Sequence, residues 1–262
     1  MSNYWEKRVI KQQDLLYNRT LVQTQNDLAK AYKQSINAIE KDMSDLYDKL
    51  LKDSIDGVIQ PNDLYKFNRY YELQGNINKN LKELGQTEIK INNSNFIDMY
   101  NVTDKYISKE LSNKLIKNSF TMFNENRVNE VINSIWCNDG KAWSKRIWDN
   151  KTLLQDRLNK GFTDCIVRGV PKDELVKQLQ ADMGVGFNQA DRIVRTELTH
   201  IQNKACGDSY QKAGIKQYKF VSAHDSRTSD ICSDLDGQIF DFAEKNVGVN
   251  FPPCHPFAEA LL

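Results

Sequence analysis

Cys232, Cys254 and His255, with His224 slightly upstream, are the side chains whose types and proximity in sequence could do chemistry together. Thiolates and imidazoles are the donors that zinc prefers, four of them in a structural site. Cys232, Cys254 and His255 are therefore the candidate metal ligands, and zinc is the one candidate cofactor of a chain otherwise expected to carry none. The pattern does not extend to catalysis. The sequence has three histidines, His200, His224 and His255, too few for a histidine-rich nuclease site. A compact His-Asn-His nuclease needs its last histidine on a helix after the strands, and seven residues follow His255. Gly184-Val185-Gly186 lacks the third glycine and the preceding strand of a phosphate-binding loop. Nothing marks a Ser-His-Asp or Cys-His arrangement. The expectation is no catalytic residue and no small-molecule substrate, with a metal-dependent DNA-processing enzyme (a nuclease) as the alternative.

The other cysteines support this. Five are scattered along the chain, none in a Cys-x-x-Cys pair. The start, Met1-Ser2-Asn3-Tyr4-Trp5, goes directly into charged helical sequence without the basic cap and apolar stretch of a secretory signal. The expectation is reduced thiols in the cytoplasm of the producing cell, with Cys137, Cys165 and Cys206 as small buried hydrophobes. Thirty-six basic and 35 acidic side chains leave a formal charge of +1, so any contact with nucleic acid has to be local. No apolar run is long enough to cross a membrane.

The elements that position these residues are mostly helices. The first 56 residues contain neither glycine nor proline, and Tyr32, Ile36, Ile39, Met43, Leu46 and Leu50 repeat at heptad spacing. A helix from about Trp5 to Leu51 is predicted, packed either in a hairpin with residues 95–124 or against a partner. Pro61 starts a new element, residues 74–94 read as short helix and loop, and a second long helix begins at Asn95. Trp136, Trp143 and Trp148 surround the turn dipeptide Asp139-Gly140 and anchor a core. One helix runs from Pro171 to Met183, closed by Gly184 and Gly186, and another from Asn188 as N-cap to Ala213, ended by Gly214. Beyond it the period changes to alternation, with strands at 216–221 and 238–242 and the turn signal Asp236-Gly237 between them. The fold class is mainly α with a small C-terminal α+β module and long, coiled-coil-like N-terminal helices. Residues 1–130 form the helical N-terminal region and residues 131–262 the second domain.

Between Arg192 and Pro256 the order is Arg195-Thr196-Glu197, Asp225-Ser226-Arg227-Thr228, Cys232, Leu235-Asp236-Gly237, Phe240 and Pro252-Pro253-Cys254-His255-Pro256. This order resembles the phage Mu F-like head morphogenesis family, also called the phage minor head proteins, over roughly residues 130–257. The family's usual second cysteine before Cys232 is absent, and Ala258-Glu259-Ala260 stands where it has Cys-Arg-Cys. The resemblance implies a structural protein of the virion, inside the phage head. Its expected partners are the portal protein, procapsid or capsid components and packaged double-stranded DNA, with roles in head assembly, packaging or ejection.

The same residues have a physical reading as a structural latch. Asp225 and Arg227 make a charge-assisted pair across a tight turn. Arg195 and Glu197 point to different faces of their helix and clamp it to the β module, and Asp236-Gly237 sets the turn. Arg192, Lys204 and Lys212 on the same helix are the candidate contacts to DNA or to a partner.

Overall fold

The computed structural model describes residues 4–54, 59–115, 125–137, 139–222, 229–254 and 260–261. Helix α1 (Tyr4–Lys52) fills the glycine- and proline-free stretch, at 1.5 Å per residue roughly 70 Å of helix. Its buried stripe is longer than the heptad seam foresees. It runs Val9, Gln13, Tyr17, Leu21, Thr24, Leu28, Tyr32, Ser35, Ile39, Met43, Leu46 and Leu50 in unbroken steps of three and four. The chain itself buries this stripe.

A 3₁₀ segment (Pro61–Asn68) leads into α2 (Arg69–Leu115). The loop expected within 74–94 does not form. Leu73, Ile77, Leu81, Leu84, Glu88, Asn92, Phe96, Met99, Thr103 and Ile107 are all buried along one continuous seam. Polar residues at three of these positions hide the period from an apolar count. Helix α3 (Glu125–Ile132) is short and α4 (Trp143–Arg168) long.

Helix α5 (Lys172–Lys212) runs through the two glycines expected to close it. Gly186 serves packing rather than termination. A Cβ there would stand 2.8 Å from a Leu154 methyl and 3.4 Å from the Tyr32 ring, and its carbonyl accepts the Tyr32 hydroxyl at 2.9 Å. Gly184 is exposed, with nothing within 4 Å of a Cβ. The two positions should therefore respond oppositely to alanine. Gly184→Ala is expected to raise stability by about 1 kcal/mol through helix propensity. Gly186→Ala should lower it by roughly 1–2 kcal/mol, overpacking outweighing the same gain. Urea midpoints of the two variants check this; stabilisation by both would remove the packing role of Gly186.

Gly214, at φ +83°, ends the α5 segment as expected. The β module follows with β1 (Gln217–Lys219), β2 (Val221–Ser222), α6 (Asp230–Leu235), β3 (Ile239–Asp241) and β4 (Ala260–Leu261). β1 pairs antiparallel with β3, Tyr218 opposite Phe240, and β2 with β4, Val221 opposite Leu261. The fold is thus mainly α with a small C-terminal α+β module.

Two compact units emerge, residues 1–25, 91–143 and 192–262 in the first, and 26–90 and 144–191 in the second. Both draw on segments from either side of residue 130, because α1, α2 and α5 each contribute to both. In the first unit the module shares one core with the helices: Val9, Ile107, Leu111, Cys206 and Tyr210 pack with Tyr218, Phe242 and Phe251. Among the described residues no helix is long and apolar enough to cross a membrane.

Candidate functional site

In the first unit α5 carries a polar stripe, Glu197, His200, Lys204 and Asp208, at steps of three and four that place all of them on one helix face. Glu197 is buried and accepts the Trp136 indole N–H at 2.9 Å. The Trp136 ring in turn stacks flat on His200, centroids 4.4 Å apart and planes 11° from parallel. His200 is buried, and its Nδ1 has no hydrogen-bond partner among the described residues. Burial first, then the Lys204 and Lys245 charges, hold its pKa down to about 3. The ring is neutral at physiological pH and inaccessible, a poor general acid or base.

Asp208 lies two turns further along the stripe. It accepts the Tyr100 hydroxyl at 2.9 Å and pairs with Lys204, while Arg127 approaches its other oxygen at 4.0 Å. Asp104, one turn from Tyr100 on α2, is buried and accepts Ser209 at 2.8 Å and Ser108 at 3.3 Å. Lys245, just after the 3₁₀ turn Phe242–Glu244, sits over the Phe251 ring at 4.4 Å. Burial, and next the Lys204 charge, hold its pKa below the usual lysine range.

In the module, Cys232 and Cys254 meet in one small cluster with Phe220, Leu235 and Phe240. Ser229 caps α6 by accepting the Cys232 backbone N–H at 3.3 Å. The Cys232 thiol, and then burial, push the Cys254 thiol well above the usual range, so neither a ready thiolate nor a nucleophile results there. Two thiols supply half of the donors of a structural zinc. The third expected ligand, His255, lies outside the described residues, as do His224, Asp225 and Arg227. Among the described residues no three ligating side chains are grouped to hold a metal ion.

The described latch residues take separate roles. Asp236 accepts the Ser222 backbone N–H at 2.8 Å, and Gly237, at φ +77°, donates its N–H to the Phe220 carbonyl at 2.8 Å. This fixes the turn into β3. Glu197 holds Trp136, as above, and the Arg195 carbonyl accepts the Tyr17 hydroxyl at 3.4 Å. Of the candidate DNA contacts, Arg192 and Lys212 are exposed and Lys204 is half-buried against Asp208. At roughly 100° per residue, Arg192 and Lys212 stand about 160° apart around α5, so one surface does not take both. Trp136 belongs to the tryptophan cluster read from sequence as a core anchor, whereas Arg127, His200 and Lys245 belong to none of the sequence motifs. The spacing of His200 from Glu197 and Lys204 is the one local signal that could have found any of them.

The second unit holds a buried triad. Lys151 pairs with Glu88, at 5% and 1% side-chain exposure, and donates to the Tyr32 hydroxyl at 2.7 Å. Burial raises the Glu88 pKa and lowers that of Lys151. A lysine whose pKa is lowered by burial can act as a nucleophile, but at this exposure no substrate reaches it, and its role is structural.

Compared with known proteins, residues 156–258 match the family described as Phage Mu protein F like protein. The matched segment takes in the second half of α4, all of α5 and most of the β module, and it coincides with the resemblance carried by the Arg195-to-Pro256 order. No curated protein and no solved structure matches the chain.

Proposed function

We propose that the protein is a structural minor head protein of a tailed phage, resident inside the head of the virion. It acts in procapsid assembly near the portal and takes part in DNA packaging or ejection. The observation that carries this reading is the family match over 156–258, the segment that builds the β module and the helix on which it rests. Two further observations support a structural role. The histidine of the polar stripe is buried and neutral, and the Cys254 thiol is pushed well above the usual range, so neither is armed for catalysis. The partners are the portal protein and procapsid components, with packaged double-stranded DNA as a local contact. Zinc has a place in this reading only as a stabiliser of the module, through Cys232, Cys254 and His255.

The test is quantitative mass spectrometry of purified procapsids and mature heads from the producing phage. The protein is expected in both, in few copies per head, and absent from heads made with a disrupted gene. Its absence from wild-type heads, with cleavage of duplex DNA on adding divalent ions, would replace this reading with the nuclease.

A further inference from the structure

Cys232 lies in α6 and Cys254 follows the Pro252-Pro253 pair, with β3 and the 3₁₀ turn between them in sequence. In the folded module they meet in one apolar cluster with Phe220, Leu235 and Phe240. Their side chains are hydrogen-bonded to each other. Both are reduced. Cys232 is 3% exposed and Cys254 is half-buried, so one sulfur of the pair is open to a reagent and the other waits behind it. Other cysteines have different neighbours. Cys206 sits in the separate core with Val9, Tyr210 and Phe251 and accepts from Gln13. Cys165 lies beside the Arg168 guanidinium. A zinc site needs two further donors, but a pair of thiols in contact needs no third group to form a disulfide.

We propose that Cys232 and Cys254 are an oxidative modification site, a dithiol that closes to a disulfide by exchange with a low-molecular-weight disulfide such as oxidised glutathione. The Cys254 sulfur loses its proton and attacks one sulfur of the external disulfide, whose other half leaves with a proton as a free thiol. The Cys232 sulfur then attacks the Cys254 sulfur of this mixed disulfide. The Cys232–Cys254 bond forms, and the second external thiol leaves with the Cys232 proton. The pair gives up two electrons, and the external disulfide is reduced to two thiols. The first attack is slow, because thiolate is scarce, but scarcity sets the rate and not the end point. The fold sets the end point by holding the two sulfurs together. The bond ties α6 to the segment after the proline pair and closes a loop that contains the Asp236-Gly237 turn and β3. The module is thereby locked once the protein leaves a reducing compartment. That occasion, release of a virion from its host, rests on the phage-head reading; the chemistry does not.

The test is equilibration of the full-length protein, with a chelator present, in buffers of reduced and oxidised glutathione, natively and in urea. Acid-quenched samples are alkylated and mapped by mass spectrometry. Trypsin cuts after Arg227 and Lys245, so the bond joins peptides 228–245 and 246–262. The linked pair is expected in the native protein, with an equilibrium constant at least about tenfold above that of the urea-unfolded chain. The oxidised protein should also melt at a higher temperature than the reduced one. Cys254→Ser should show no such shift with oxidant. An equal or smaller constant in the native protein would overturn the proposal, as would glutathione remaining on Cys254 without closure. Closure in the purified protein, with the protein absent from released virions, would sink the phage-head reading and leave the modification site standing.

Discussion

Lys151→Met should lower the stability of the protein by about 3–5 kcal/mol, the cost of leaving a buried charge without its partner. Glu88 is 1% exposed and its carboxylate faces Lys151 and the Tyr32 hydroxyl. Removing the ammonium also takes from Tyr32 the proton it accepts. Replacing both members, Glu88→Gln with Lys151→Met, should recover much of that loss, because the desolvation of two ions disappears together with their attraction. Equilibrium urea unfolding of the two variants decides it. A single variant as stable as wild type would mean that the pair is not buried as described. The pH dependence has a defined sign. The folded Glu88 pKa lies above its ordinary value of 4.5, so the folded state binds the proton more tightly than the unfolded chain. Its contribution is greatest below about pH 4.5 and is lost as pH rises through the raised value.

Acid should act on the first unit in the opposite sense, through His200. Its folded pKa, about 3, lies below the ordinary 6.5, so between these values the unfolded chain holds the extra proton. Stability contributed by the neutral ring is fully present above pH 6.5 and is lost as pH falls toward 3, at up to about 1.4 kcal/mol per unit and roughly 4 kcal/mol in all. His200→Phe keeps a flat ring against Trp136 and removes the proton site. Its unfolding free energy should run less steeply with pH than that of wild type across this window, by close to one proton. Parallel curves would show that the ring is not excluded from water. Because Glu88 titrates in part of the same range with the opposite sign, the difference between the two proteins isolates the histidine, and neither absolute curve does.

Local chemistry made some elements legible and left others hidden. The absence of breakers before residue 57 was enough to read α1 to within a residue or so of its observed ends. Gly214 and Asp236-Gly237 marked the turns of the module, because a positive φ is a strong demand on residue type. The two long helices read as broken, α2 and α5, share one cause. In α2 the seam passes through Glu88 and Asn92, whose burial depends on partners elsewhere in the chain. In α5 the glycine that resembles a stop is a site of close approach to Leu154 and Tyr32. Both are tertiary facts that no window of local sequence contains.

The candidate site divides along the same line. Cys232 and Cys254 were singled out by residue type, and the structure brings them together. The cluster on Asp208 was invisible beyond Lys204, because Arg127 and Lys204 come from two elements, and a lone arginine or lysine in sequence reads as a solvated face. The spacing of His200 from Glu197 and Lys204 put them on one helix face, but that this face turns inward is a tertiary fact.

The central claim is that this chain is part of a phage head, and co-sedimentation with isolated portal and with procapsids lacking the protein tests it most directly. Metal content is measured on the same sample. The claim predicts stable, saturable binding to portal or procapsid, with zinc, if found, a property of the folded module. No binding to either, together with stoichiometric metal and cleavage of DNA, would contradict it.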